Sequence, residues 1–289
     1  MRSRALPGLV VLLACALAAC ASGSEKATGV TRVSASPSSD EPLGLIAIGH
    51  SGLTGYASDP SRLMSSAREN SWATGTNPAV ASIYLRMVRA EPQMKGHVAN
   101  TAVNGSKASS LLGQAQQAFA TVPRPELAII QTIDNDIACD GTDEANHAAF
   151  AQGLRDAIDA IVKQSPSATV LTFAQFGRPA GYVKAALANP DARRHFSGDG
   201  MCDGLDTAGR PVPARITALT RIIEGYEAVL SSVCKTYPQC TYTDVSKRYV
   251  DRIDLLAQGD WDHESVAGHA AWAALMWPTV ATLSGFPTD

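Results

Sequence analysis

Nowhere in its 289 residues does the chain gather a cluster of lysine and arginine, and 24 basic against 27 acidic side chains leave a net charge of −3. A protein that tracks phosphates needs a basic face, so nucleic acid is excluded as a partner. Membrane-spanning apolar runs are missing too. Leu9 to Ala19 is uninterrupted but falls short of the roughly 20 residues a bilayer helix requires. There is no C-x-x-C pair and no H-E-x-x-H. His263-Glu264 is followed by His269, which comes too late for two zinc ligands on one helix face, so no metal or other cofactor is expected. What remains is a composition 45% apolar and 18% charged, that of a globular chain able to bury a core.

The basic start Met1-Arg-Ser-Arg4 and the short apolar run make residues 1–19 a signal peptide. The run ends in Leu17-Ala18-Ala19-Cys20, which resembles the lipobox of bacterial lipoproteins. The resemblance implies cleavage before Cys20 and its diacylation, a stable tether to the outer face of the cell membrane. Ordinary cleavage after Ala19, giving a freely secreted protein, is the alternative. Residues 20–41 are rich in Ser, Gly, Ala and Thr and form a flexible tether with a reach of roughly 25 Å. Residues 42–289 form the folded domain.

Removing Cys15 with the signal and Cys20 by lipidation leaves Cys139, Cys202, Cys234 and Cys240. An even number in an exported chain reads as two disulfides, with three possible connectivities. The local pair Cys234–Cys240 is preferred, and hence Cys139–Cys202.

Apolar runs of strand length at 43–48, 97–103, 127–132, 169–173 and 241–245 alternate with helical patterns at 78–88, 107–119, 144–163, 213–236 and 267–284. Pro78 is placed in the first turn of its helix. Strand-helix alternation predicts an α/β fold: three layers, α/β/α, around a central parallel sheet. In such sheets the site lies at the carboxyl ends of the strands.

Two segments there carry chemistry. Asp260-Trp-Asp-His263 places a carboxylate three residues before an imidazole, a spacing that lets the acid fix the ring's tautomer. A His held this way is the usual base for a serine nucleophile. Ser51, in Gly49-His50-Ser51-Gly52 directly after the first strand, is the candidate. Asp262 and Glu264 also flank His263, but Asp260 has the better spacing. His269 reads as a helix-start or core residue. Trp261, Trp272 and Trp277 read as packing residues, with a wall of the substrate pocket as the alternative for Trp261 beside the base.

Four blocks in order resemble the SGNH hydrolases, the GDSL-like lipases and esterases. Gly49-His50-Ser51 corresponds to their Gly-Asp-Ser and carries the nucleophile onto Ser51. Asn104-Gly105 carries an oxyanion N–H onto Gly105. Ile133-Asp134-Asn135-Asp136 corresponds to Gly-x-Asn-Asp and carries a side-chain donor onto Asn135. Asp260 and His263 match the Asp-x-x-His block fully. The segment Asn70 to Gly75 is similar to exported bacterial members. The resemblance implies a flavodoxin-like α/β/α fold and metal-free hydrolysis of carboxylic esters of a lipid, an acylated sugar or a wall polymer. The Ser51 N–H, Gly105 and Asn135 would form the oxyanion hole. An acyltransferase would use the same residues, and a surface binding module on a degenerate fold is a further alternative.

Two departures stand out. His50 replaces the family's Asp, and Ile133 replaces the Gly of the third block. His50 is expected to support the nucleophile loop while facing away from the hydroxyl, so His50→Asp should be tolerated. Ile133 would narrow the site or shift Asn135. An α/β-hydrolase is the nearest rival fold, but its elbow G-x-S-x-G needs Gly where Leu53 stands.

Overall fold

A computed structural model describes residues 43–288; the signal peptide, Cys20 and the tether lie outside the described residues. Five strands, β1 (Gly44–Gly49), β2 (Val98–Asn100), β3 (Pro125–Gln131), β4 (Thr169–Phe173) and β5 (Cys240–Thr243), form one sheet in the order β2-β1-β3-β4-β5. Every pair is parallel, with Leu45 opposite both Val98 and Leu127. Parallel strands need crossovers, and seven helices lie in them: α1 (Ser51–Thr54), α2 (Ile83–Ala90), α3 (Leu111–Phe119), α4 (Asp143–Gln164), α5 (Pro179–Ala186), α6 (Pro190–His195) and α7 (Pro213–Cys234), while α8 (Val266–Ser284) follows the last strand.

Both sheet faces are covered, which is why the strands read as continuous apolar runs rather than alternating ones. Successive side chains still point to opposite faces. Leu45, Ala47, Leu127, Ile129 and Leu171 join one core with Trp72, Ile83 and Met87 of α2, and Met276 and Trp277 of α8. Ile46, Ile48, Ala128, Ile130 and Val170 join the other, with Leu111 of α3, Phe150, Leu154 and Ile158 of α4, and Tyr226 and Leu230 of α7. Truncating one of these large side chains to Ala would cost about 2–5 kcal/mol. The expected three-layer α/β/α architecture is therefore what the chain adopts.

Boundaries differ where capping decides them. The helix expected from Pro78 begins at Ile83, because Ser82 caps it by accepting the Leu85 N–H, and Pro78 lies in the turn before. The second strand is shorter than expected, although the Thr101 and Val103 N–H groups still bond to the Ala47 and Gly49 carbonyls. The short helices α5 and α6 start at Pro179 and Pro190 in a stretch with no extended apolar period.

The preferred disulfides are the ones formed: Cys139–Cys202 and Cys234–Cys240, with Cα separations of 5.8 and 5.2 Å. The first joins the segment after β3 to the strap between α6 and α7. Among the described residues no helix is long and apolar enough to cross a membrane.

Candidate active site

The chain leaves β1 for β2 on one side, then returns past β1 to form β3 on the other, so the switch point of the sheet lies beyond the carboxyl ends of β1 and β3. A cavity of about 560 Å³ opens there, lined by Ser51, Gly105, Asn135 and His263.

Ser51 opens the one-turn helix α1 immediately after β1. Gly49 makes the turn possible: its φ is +142°, and a Cβ there would sit 1.9 Å from the Gln131 carbonyl oxygen. The Gln114 side chain accepts from the Gly49 N–H (2.6 Å) and donates to its carbonyl (3.1 Å), and the Ser106 hydroxyl donates to the same carbonyl (2.6 Å). Below the turn, the Gly52 Cα rests on the Gln131 side chain, whose oxygen accepts from the buried Trp72 indole N–H at 3.0 Å. The Asn70–Gly75 segment thus braces the turn from below. Sequence reading missed Gln114 and Gln131; a buried Gln beside a strand end is visible only once the fold places it.

His263 Nε2 stands 2.7 Å from Ser51 Oγ, across 212 residues of chain, and His263 Nδ1 stands 2.8 Å from Asp260 Oδ2. The other Asp260 oxygen accepts from the backbone N–H groups of Asp262 and His263, each at 3.1 Å. Asp262 is 3.9 Å from His263 Nδ1 and exposed, while Glu264 is buried and accepts from the Tyr249 hydroxyl. Of the three flanking acids, Asp260 therefore meets the ring. Tyr56 packs against the imidazole, with centroids 4.8 Å apart.

Burial acts against a charged His263. The hydrogen bond with Asp260 and the negative charges of Asp262, Asp260 and Asp134 outweigh it and hold the ring's pKa above the usual value. Asp260 ends below the usual carboxylate range: burial alone would raise it, but the His263 hydrogen bond and charge prevail.

Asn135 lines the cavity, and its Nδ2 is buried without a hydrogen-bond partner. A buried amide donor left unmet costs about 1–3 kcal/mol, so its place beside the candidate nucleophile invites an acceptor from outside the chain. Gly105 lines the same cavity at φ +75°. Asn104 is occupied otherwise: it accepts from the Thr54 hydroxyl and donates to Ser66. Asp136 ties the Asn135 loop down, accepting from the Ala108 N–H and the Thr132 hydroxyl.

Two expectations change, those for His50 and Ile133. His50 does not point away from Ser51. Helix α1 begins at Ser51, strand alternation stops there, and both residues line the cavity. Trp261 packs as preferred, against the cluster of Val183 and Leu205, and of the two readings the cavity wall goes to Trp272 of α8 instead. Ile133 is buried in the second core at φ +105°, a conformation that favours glycine, and Asn135 lines the cavity. His269 is a core residue within α8; burial, aided by the charge of His263, depresses its pKa to about 3. Among the described residues no group of three or more His, Cys, Asp or Glu is placed to hold a metal ion.

No family model matches the chain, and no curated protein matches it in sequence. Solved structures do resemble it. An active-site mutant of a family two carbohydrate esterase from Clostridium thermocellum, in complex with an oligosaccharide, superposes with a TM-score of 0.51 at 12% identity, over 85% of this chain and 65% of the other. The fold is that of the SGNH hydrolases. Two further structures of lower score are TesA (TM-score 0.49, 16% identity, 83% of this chain and 99% of the other) and an extracellular lipase from Streptomyces rimosus (0.45, 14%, 81% and 98%). At these identities the SGNH likeness is one of architecture. The four sequence segments that resemble the SGNH pattern stand at the ends of β1, β2 and β3 and in the loop before α8.

Proposed function

We propose that the protein is a serine ester hydrolase acting through an acyl-enzyme on Ser51. The observation that carries this reading is the chain of contacts from Ser51 Oγ to His263 Nε2 (2.7 Å) and from His263 Nδ1 to Asp260 (2.8 Å), inside a cavity. His263 takes the Ser51 proton as the hydroxyl attacks the acyl carbonyl. Asp260 holds the ring's tautomer and steadies the imidazolium that forms. The developing oxyanion is met by the free Asn135 amide and by the Ser51 and Gly105 N–H groups; one such donor is worth about 10²–10³ in rate. His263 then protonates the departing alcohol, and water repeats the sequence to release the acid.

The apolar side chains Ile137, Val183, Phe196, Ile216, Leu219 and Ile223 line one part of the cavity and support an ester with an apolar acyl group as substrate. Export and anchoring through a diacylated Cys20 complete the reading; a Cys20→Ser protein should appear in the medium rather than the membrane fraction.

A fluorophosphonate should label the wild type and not Ser51→Ala. Ser51→Ala and His263→Ala should each abolish turnover of nitrophenyl esters, and the double variant should be no worse, since such units are non-additive. A folded Ser51→Ala protein with full activity would falsify the mechanism.

A further inference from the structure

His50 precedes the candidate nucleophile, and Asp134 precedes the candidate oxyanion donor. The two side chains meet. His50 is 3% exposed; its Nδ1 accepts the Gly52 N–H at 3.2 Å, capping the turn that opens with Ser51. In the neutral ring the proton then sits on Nε2, and Nε2 lies 3.0 Å from Asp134 Oδ2, at ion-pair distance though not aligned as a hydrogen bond. One imidazole thus offers an acceptor to the first loop and a donor to the second.

We propose that His50 is a positioning residue, a strut that sets the spacing between the Ser51 turn and the Asn135 loop through Asp134. The proposal rests on the serine-hydrolase reading above. Asn135 Nδ2 has no partner within the chain, so its position depends on the backbone that carries it. That backbone passes through Ile133 at φ +105° and is anchored on the far side by Asp136. On the near side the backbone carries Asp134, whose carboxylate lies 3.0 Å from His50 Nε2. An Asp at position 50 could still accept from Gly52, but its carboxylate would face that of Asp134. The tolerance of His50→Asp expected from sequence is therefore reversed.

Asp134→Ala leaves the cap intact and breaks only the strut. We expect kcat to fall about 10- to 100-fold with KM little changed, the size of effect that a misplacement near 1 Å produces. His50→Asn, whose shorter side chain keeps the cap but does not reach Asp134, should match it, and the double variant should be no worse. His50→Asp should lose activity and regain part of it when Asp134→Asn removes the opposing charge. In an Asn135→Ala background, Asp134→Ala should have no further effect, because the donor it positions is gone. A role in stability alone would not give that epistasis. Wild-type kcat in Asp134→Ala overturns the strut, as does a loss that persists in the Asn135→Ala background. So does a His50→Ala protein that melts normally yet is as inactive as His263→Ala, which would make His50 catalytic. Fluorophosphonate labelling of the wild type separates these results from a failure of the hydrolase reading itself.

Discussion

The two halves of the site are held by different forces. In the half that stands on strand ends, the Ser51 turn is fixed by close packing and neutral hydrogen bonds: a glycine against a carbonyl, a glutamine clasping one residue, an indole bonded beneath the turn. The half carrying His263 stands on a loop before α8 and is fixed by charge. A single carboxylate, Asp260, receives two backbone N–H groups and the imidazole. Close packing with neutral hydrogen bonds is insensitive to pH and intolerant of volume. Electrostatic fixing tolerates volume and responds to charge.

The contrast breaks most visibly at Gly49. Gly49→Ala would drive a methyl into the Gln131 carbonyl and hold a poor φ, so β1 and β3 must part. A loss of roughly 4 kcal/mol or more is expected, read as a collapse of the melting temperature. A normal melt for Gly49→Ala would show that the strand end is softer than argued. On the loop half, Asp260→Asn changes almost no volume, yet should lower kcat by about 10⁴ with the melting curve kept, because the ring loses the acceptor that sets its tautomer.

Asp262→Asn tests the same half more gently. On the proposed mechanism the base must be neutral, so activity should fall as acidification protonates His263, whose pKa is held above its ordinary value. Removing the Asp262 charge lowers that pKa, and the acid limb of the rate profile should move to lower pH. A limb that stays put would mean the charge is screened away.

The smallest effect belongs to Ile133. Its strained φ costs about 1–3 kcal/mol, offset by a side chain fully buried against Ile130 and Phe150 in the second core. Ile133→Gly relieves the strain but empties the core, so a net loss of about 1–2 kcal/mol with kcat retained is expected. Greater stability in Ile133→Gly would mean that strain outweighs packing there.

The sheet, its parallel sense and most helices were legible because buried parallel strands leave unbroken apolar runs and amphipathic helices leave a period. Ser51, Asp260, His263 and Asn135 were legible because short spacings or strand-end positions fix their placement. Helices α5 and α6 were not, since both are short and begin with proline in an irregular stretch. The ties made by Gln114, Gln131 and Asp134 escaped as well. Each links segments 65, 59 and 84 residues apart, and only the closed fold brings them into reach.

The 212 residues between Ser51 and His263 impose an order on activity. A growing chain has made Ser51, Gly105, Asn135 and all five strands before the segment that carries His263 exists. On the proposed mechanism no ester is at risk until the segment from Asp260 to His263 has docked and α8 has closed over the core. Catalysis is thus a late reporter of complete folding: nascent chains and C-terminal truncations would be silent, and ester turnover per molecule would count finished protein rather than protein made.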